Sequence, residues 1–190
     1  MRRYFNDTGL CNPKMHYMAD ISGKLAKVIA HIERGNYFTM NSPYQFGKTT
    51  MISALAKELA KREDYLVIRL SFEGIGDAIF EKETTFCSGF LRLIAKRTDK
   101  KQQEIIDFID SKSKKTQSFE ELSDVITGLV EKSNKKVVLI IDEVDKSTNN
   151  QLFLSFLGML RSKYLLRNDG LDETFQSVIL GGVHDIKTIK

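Results

Sequence analysis

The segment Tyr37-Phe38-Thr39-Met40-Asn41-Ser42-Pro43-Tyr44-Gln45-Phe46-Gly47-Lys48-Thr49-Thr50 decides how the rest of the chain reads. Its first four residues are a short apolar run after the punctuating pair Gly35-Asn36, which predicts a strand. Beyond Gly47, Ile52, Leu55, Ala56 and Leu59 recur on one helical face and Lys57, Lys61 and Arg62 take the other, which predicts an amphipathic helix. The loop from Asn41 to Gly47 therefore joins a strand to a helix. There, successive backbone N–H groups and the positive end of the helix converge on one point, where an anion is stabilised.

The residues fit a phosphate cradle. The motif for it, G-x-x-x-x-G-K-[ST], needs a lysine to reach the outer phosphates and a hydroxyl to hold Mg²⁺. Lys48 and Thr49 supply them, and Ser42, Pro43, Tyr44, Gln45, Phe46, Gly47 and Thr50 complete the expected phosphate-binding set. Ser42 stands where the usual motif has its first glycine.

Working outward, residues 20 to 34 place Ile21, Leu25, Val28, Ile29 and Ile32 at helical spacing, and Tyr65 to Ser71 reads as a second strand. Phe86, Phe90, Leu93 and Ile94 mark a helix, and Ile105, Ile106 and Ile109 a shorter one after a lysine-rich turn. Ser118 with Glu121 has capping-box spacing ahead of Leu122, Val125, Ile126 and Leu129. Val137-Val138-Leu139-Ile140-Ile141 is a continuous β-branched run, expected to be a central strand covered on both faces. Asn149-Asn150 opens a helix with Phe153, Phe156, Leu157, Leu160 and Tyr164 at core spacing, and Ser177-Val178-Ile179-Leu180 makes a fourth strand. Strands separated by helices predict an α/β sandwich with a parallel sheet and right-handed crossovers.

The run at 137 to 141 ends in Asp142-Glu143, so both carboxylates are expected at the carboxyl edge of the sheet, the edge the phosphate loop also leaves. Asp142 is suited to hold Mg²⁺ through water, and Glu143 to orient or deprotonate the water that attacks a γ-phosphate. Lys48 and Glu143 are the expected catalytic residues, and Thr49 and Asp142 the metal-holding ones.

Gly47-Lys48-Thr49-Thr50 together with Leu139-Ile140-Ile141-Asp142-Glu143-Val144-Asp145 resembles the AAA-type P-loop ATPases, specifically the bacterial and archaeal AAA-like group related to signalling NTPases. The likeness runs from about Tyr17 to Asp185. It implies a P-loop NTPase three-layer sandwich with a sheet of order 5-1-4-3-2, ATP as the nucleotide, and Asp142 and Glu143 as Walker B aspartate and catalytic glutamate. It also implies adenine packing on the segment before the first helix, Pro13 to Asp20, with Tyr17 and Met18, so residues 1-34 form an adenine-side segment. The fourth strand would lie between the first and third and bring His184 or Asp185 to the γ-phosphate as a sensor. Relatives often carry an arginine where Tyr44 stands. They continue with a fifth strand and a helical lid, so residues 1-190 are expected to be one truncated nucleotide-binding core, with turnover and any homo-oligomer or protein partner depending on the region beyond Lys190.

Other features bound the alternatives. Hydrophobic residues at 42% and charged residues at 28% of 190 residues suit a globular domain, and a net charge of +4 does not by itself announce nucleic-acid binding. The stretches Lys96 to Lys101 and Lys112 to Lys115 lack interleaved aromatics and read as solvated faces. Gly74-Ile75-Gly76-Asp77-Ala78-Ile79 lacks the third glycine of a dinucleotide loop and reads as a turn. Cys11 and Cys87 have neither metal nor framework spacing and are expected to be free thiols, and His16 and His31 give no metal spacing. No apolar run approaches the roughly 18 residues of a membrane span, so a cytoplasmic protein is expected. The leading function is an ATP-hydrolysing switch or motor; the alternatives are a nucleotide-sensing scaffold without turnover and a basic nucleic-acid module.

Overall fold

The structure is a computed structural model that describes residues 4–6, 11–12, 14–17, 19–42, 47–73, 75–144 and 150–182. Four strands, β1 (Phe38–Asn41), β2 (Tyr65–Ser71), β3 (Lys136–Asp142) and β4 (Ser177–Gly182), form a parallel sheet of order β1-β4-β3-β2. This is the 1-4-3-2 portion of the expected order, and β3 lies inside the sheet as its apolar run requires. Alternate residues of β3 feed two cores. Val138 and Ile140 join Ile32, Ile52, Leu55 and Leu59 from α1 (Ser22–Glu33) and α2 (Lys48–Leu59). Val137, Leu139 and Ile141 join the larger core on the opposite face. That core is built from α3 (Glu83–Arg97), α5 (Phe119–Ser133) and α6 (Gln151–Asn168), with α4 (Gln103–Ser113) packed on α3 and α5. The result is the expected helix, sheet, helix sandwich. A 3-10 turn, Asp77–Phe80, follows β2 where the glycine-containing segment predicts a turn.

Local signals set the helix ends. Ser118 Oγ accepts the Glu121 N–H at 3.2 Å, the first half of the capping box. The second half differs, because the Glu121 carboxylate takes the Gln117 N–H at 2.6 Å and so ties the preceding residue to α5. At α6, Asn150 Oδ1 accepts from the N–H groups of Leu152 and Phe153, the cap that the asparagine pair announces.

The helix α6 breaks its apolar face with Lys163, which is 2% exposed. Its ammonium donates to Asp172 Oδ2 at 2.6 Å, Thr127 Oγ1 at 2.7 Å and Ser123 Oγ at 3.2 Å, so all three donors are used. Thr127 Oγ1 also lies 2.9 Å from Asp172 Oδ1. The network pins α6 and the loop after it to α5. Neither the lysine nor its partners stood out in the sequence, because a single charge in a helix reads as exposed.

Candidate functional site

Gly47 opens α2 at φ +82°, in the left-handed region that glycine enters freely, and nothing lies within 4 Å of where its Cβ would be. The conformation, not crowding, demands glycine here. It turns the chain so that Lys48 begins the helix with its side chain aimed across the sheet. Lys48 Nζ lies 3.0 Å from Asp142 Oδ1 and 3.0 Å from Glu143 Oε1. The three residues that sequence spacing selected from segments 95 positions apart thus meet at one point.

Burial alone would push the Lys48 ammonium below an ordinary lysine, but the hydrogen bonds and charges of Asp142 and Glu143 reverse this and hold it above. Lys48 therefore stays charged. Glu143 is held at φ +59°, uncommon for a residue with a side chain, while its N–H donates to Asp142 Oδ1 at 3.0 Å. Backbone strain of this kind, about 1 kcal/mol, persists where neighbouring contacts over-determine it and clusters at functional sites. Two contacts do so here, one from the Glu143 backbone and one from its carboxylate to Lys48.

Beside this cluster a cavity of about 550 Å³ opens between α1, β1 and the start of α2. Tyr17, Ser42, Gly47, Lys48 and Thr50 line it, so the residue expected on the base side and the described part of the loop share one space. Ser42 continues the pairing of β1 with β4 by donating its N–H to Gly182 O at 3.2 Å. Thr49 is exposed at the first turn of α2. Thr50 Oγ1 accepts the Cys11 N–H at 3.3 Å and ties the amino-terminal segment to the loop helix.

Several expected residues lie outside the described ones: Pro43, Tyr44, Gln45 and Phe46 of the loop, Pro13 and Met18, Asp145 and Lys146, and the sensor candidates His184 and Asp185. Cys11 and Cys87 are free thiols, and burial pushes Cys87 up to about 12, which leaves it inert. His16 accepts the Asn12 N–H at Nδ1 (2.9 Å), and His31 Nδ1 pairs with Asn36 at 3.1 Å. Among the described residues no group of three or more His, Cys, Asp or Glu side chains could hold a metal, and no helix is long and apolar enough to cross a membrane.

The family model described as a predicted AAA-ATPase matches residues 35–189. The chain belongs to this AAA-ATPase-like family. Its fold is similar to that of the ORC2 protein of Aeropyrum pernix, solved as ADPNP-ADP complexes, with a TM-score of 0.55 at 12% identity. The match covers 96% of this chain and 44% of that one. No curated protein matches the sequence.

Two residues of this AAA-ATPase-like site carried no motif signal. Gly181, opposite Met40 on β1, lies against the Asp142 carboxylate: a Cβ there would stand 2.8 Å from Asp142 Oδ1 and 3.1 Å from Ile52 Cδ1. Glycine keeps that space for the acid. The Gly181→Ala variant is expected to displace Asp142 and cost about 1–2 kcal/mol of stability, read as a lower urea midpoint. Unchanged stability would show that the acid tolerates the shift. The pair Gly181-Gly182 closing a strand was the available clue, since small residues there permit close approach. The second residue, Arg69 on β2, stands 3.5 Å from Asp142 Oδ2.

Proposed function

We propose that this chain binds ATP with Mg²⁺ at the Lys48, Asp142 and Glu143 cluster, and that the complete protein hydrolyses it. The observation that carries the reading is the pairing of Lys48 with both acids at 3.0 Å, directly beside a cavity of nucleotide size. The two carboxylates at the strand end pair with the lysine and hold it at the mouth of the loop. Lys48 would exchange them for the outer phosphates, while the loop N–H groups and the amino end of α2 hold the remaining charge.

The donor set fits Mg²⁺. This ion is held by one or two oxygen groups together with substrate phosphates rather than by a protein cage. Thr49, an exposed residue of the first turn of α2, offers a hydroxyl, and Asp142, 3% exposed, offers a carboxylate that contacts the neighbouring Lys48. Thr49 and Asp142 would hold the ion, which would supply neutralisation of phosphate charge. Once Lys48 moves to the phosphates, Glu143 Oε1 loses its partner and is free to accept a proton from water. Its backbone stays fixed by the Asp142 bond, so the base is oriented before it is released. Tyr17 at the cavity wall is suited to stack on the adenine. The Aeropyrum pernix ORC2 protein, to whose fold this chain is similar, was solved as ADPNP-ADP complexes, which supports a nucleotide-binding reading.

Calorimetry with Mg-ATP tests the reading, and the Glu143→Gln variant separates turnover from sensing. Glutamine keeps the shape and removes the charge that competes for Lys48. Its Kd should equal or fall below that of the parent, while phosphate release by the complete protein should drop by about 100-fold or more. Turnover that survives the substitution would remove Glu143 from the base role and favour a nucleotide-sensing scaffold.

A further inference from the structure

Among the described residues Asp142 has two cations, one on α2 and one on β2. Lys48 Nζ and the Glu143 N–H both serve Oδ1, at 3.0 Å each. Arg69 Nη2 approaches the other oxygen, Oδ2, at 3.5 Å. Arg69 follows Val67 on the face of β2 that packs toward α1 and α2, and β2 is paired with β3 so that Ser71 stands opposite Asp142. The arginine is thus built into the sheet beside the acid, with its side chain 34% exposed and that of Asp142 only 4% exposed.

Binding a phosphate chain at the loop draws Lys48 away. A carboxylate this deeply buried is costly without a partner. With Mg²⁺ present, Asp142 would hold the ion and be neutralised by it in place of Lys48. Without Mg²⁺, Arg69 is the remaining cation against Asp142 among the described residues. We infer that Arg69 is a positioning residue that keeps Asp142 paired while Lys48 transfers to the phosphates, and thereby sustains nucleotide binding before the metal arrives. This rests on the nucleotide reading above.

The inference gives the two nucleotide complexes different sensitivities. Without Arg69 the metal-free complex retains a buried acid with no other counter-charge among the described residues. The Mg²⁺ complex does not, and it also loses a repulsive charge near the ion. The ratio of Kd in EDTA to Kd in Mg²⁺ should therefore rise, by about five- to tenfold for a partly exposed partner of a buried acid. A lysine at the same position restores most of the charge and should return the ratio toward the parent value.

The experiment titrates a fluorescent ATP analogue against the whole chain in EDTA and in Mg²⁺, for the parent, Arg69→Met, Arg69→Gln and Arg69→Lys. Either neutral variant suffices if the other fails to fold, because Arg69 lies at the edge of the core. A ratio that rises for the neutral variants and recovers for Arg69→Lys supports the inference. An unchanged or lower ratio, an equal weakening of both complexes, or a parent that binds only with Mg²⁺ overturns it. A parent that binds in neither buffer instead overturns the nucleotide reading, and this inference with it.

Discussion

The Lys48→Ala variant is expected to lose Mg-ATP binding, with Kd rising by about two orders of magnitude or out of the measurable range. Two effects add. The phosphates lose charge-assisted hydrogen bonds worth about 1.5–3 kcal/mol each, and about 1.4 kcal/mol is a tenfold change in Kd. In addition Asp142 and Glu143, both 3.0 Å from Lys48 Nζ in the structure, no longer have that cation and turn their charge on the incoming anion. Calorimetry against Mg-ATP reads the loss, and the circular dichroism spectrum shows whether the fold persists. Unchanged affinity in a folded variant would refute the phosphate site, and the hydrolytic reading would fall too. Among the described residues the variant leaves Asp142 with Arg69 as its one cation, so some loss of stability accompanies the loss of binding.

Breaking the Lys163 network should have the largest effect on stability itself. Lys163→Ala removes the only described cation that touches Asp172, leaves Thr127 and Ser123 without their donor, and opens a cavity in α6. Removing one member of a buried ion pair costs about 3–5 kcal/mol, and the partial exposure of Asp172 points to the lower end, about 3 kcal/mol. That is a large share of the marginal stability of any domain of this size. Urea unfolding should show it as a lower midpoint at unchanged slope. Lys163→Met keeps most of the volume and should cost less than Lys163→Ala. Equal losses in the two variants would show that the charge pairing, not packing volume, holds α6. The network lies on the sheet face away from Lys48, so Mg-ATP affinity of the folded fraction should not change.

The sheet was legible because its strands are short and strongly apolar. The Val137 to Ile141 run reads as buried on both faces, and the structure divides it between two cores. Tyr65 to Ser71 is β2 with the same bounds, and Ser118 and Asn150 mark their helices by cap chemistry that acts within three residues. These are local effects, which sequence records directly. The capping of Gln117 by Glu121 was missed because a long carboxylate can reach either of two adjacent N–H groups, and packing around α5 selects one.

The chemistry divides in the same way. Sequence determined that a glycine, a lysine and two hydroxyls follow one strand and that two acids end another, because each group sits at an element boundary set by short-range patterning. It could not measure the 3.0 Å contacts of Lys48, find the second cation on Oδ2 of Asp142, or see that Gly181 keeps space for that acid. Those facts arise from the order β1-β4-β3-β2, which sets β4 between strands far from it in the chain and carries Arg69 and Gly181 to opposite sides of one carboxylate. Local pattern fixes which residues stand at a strand end, but only the packing of distant segments fixes which charges share a low-dielectric space, and there the interaction energies are large.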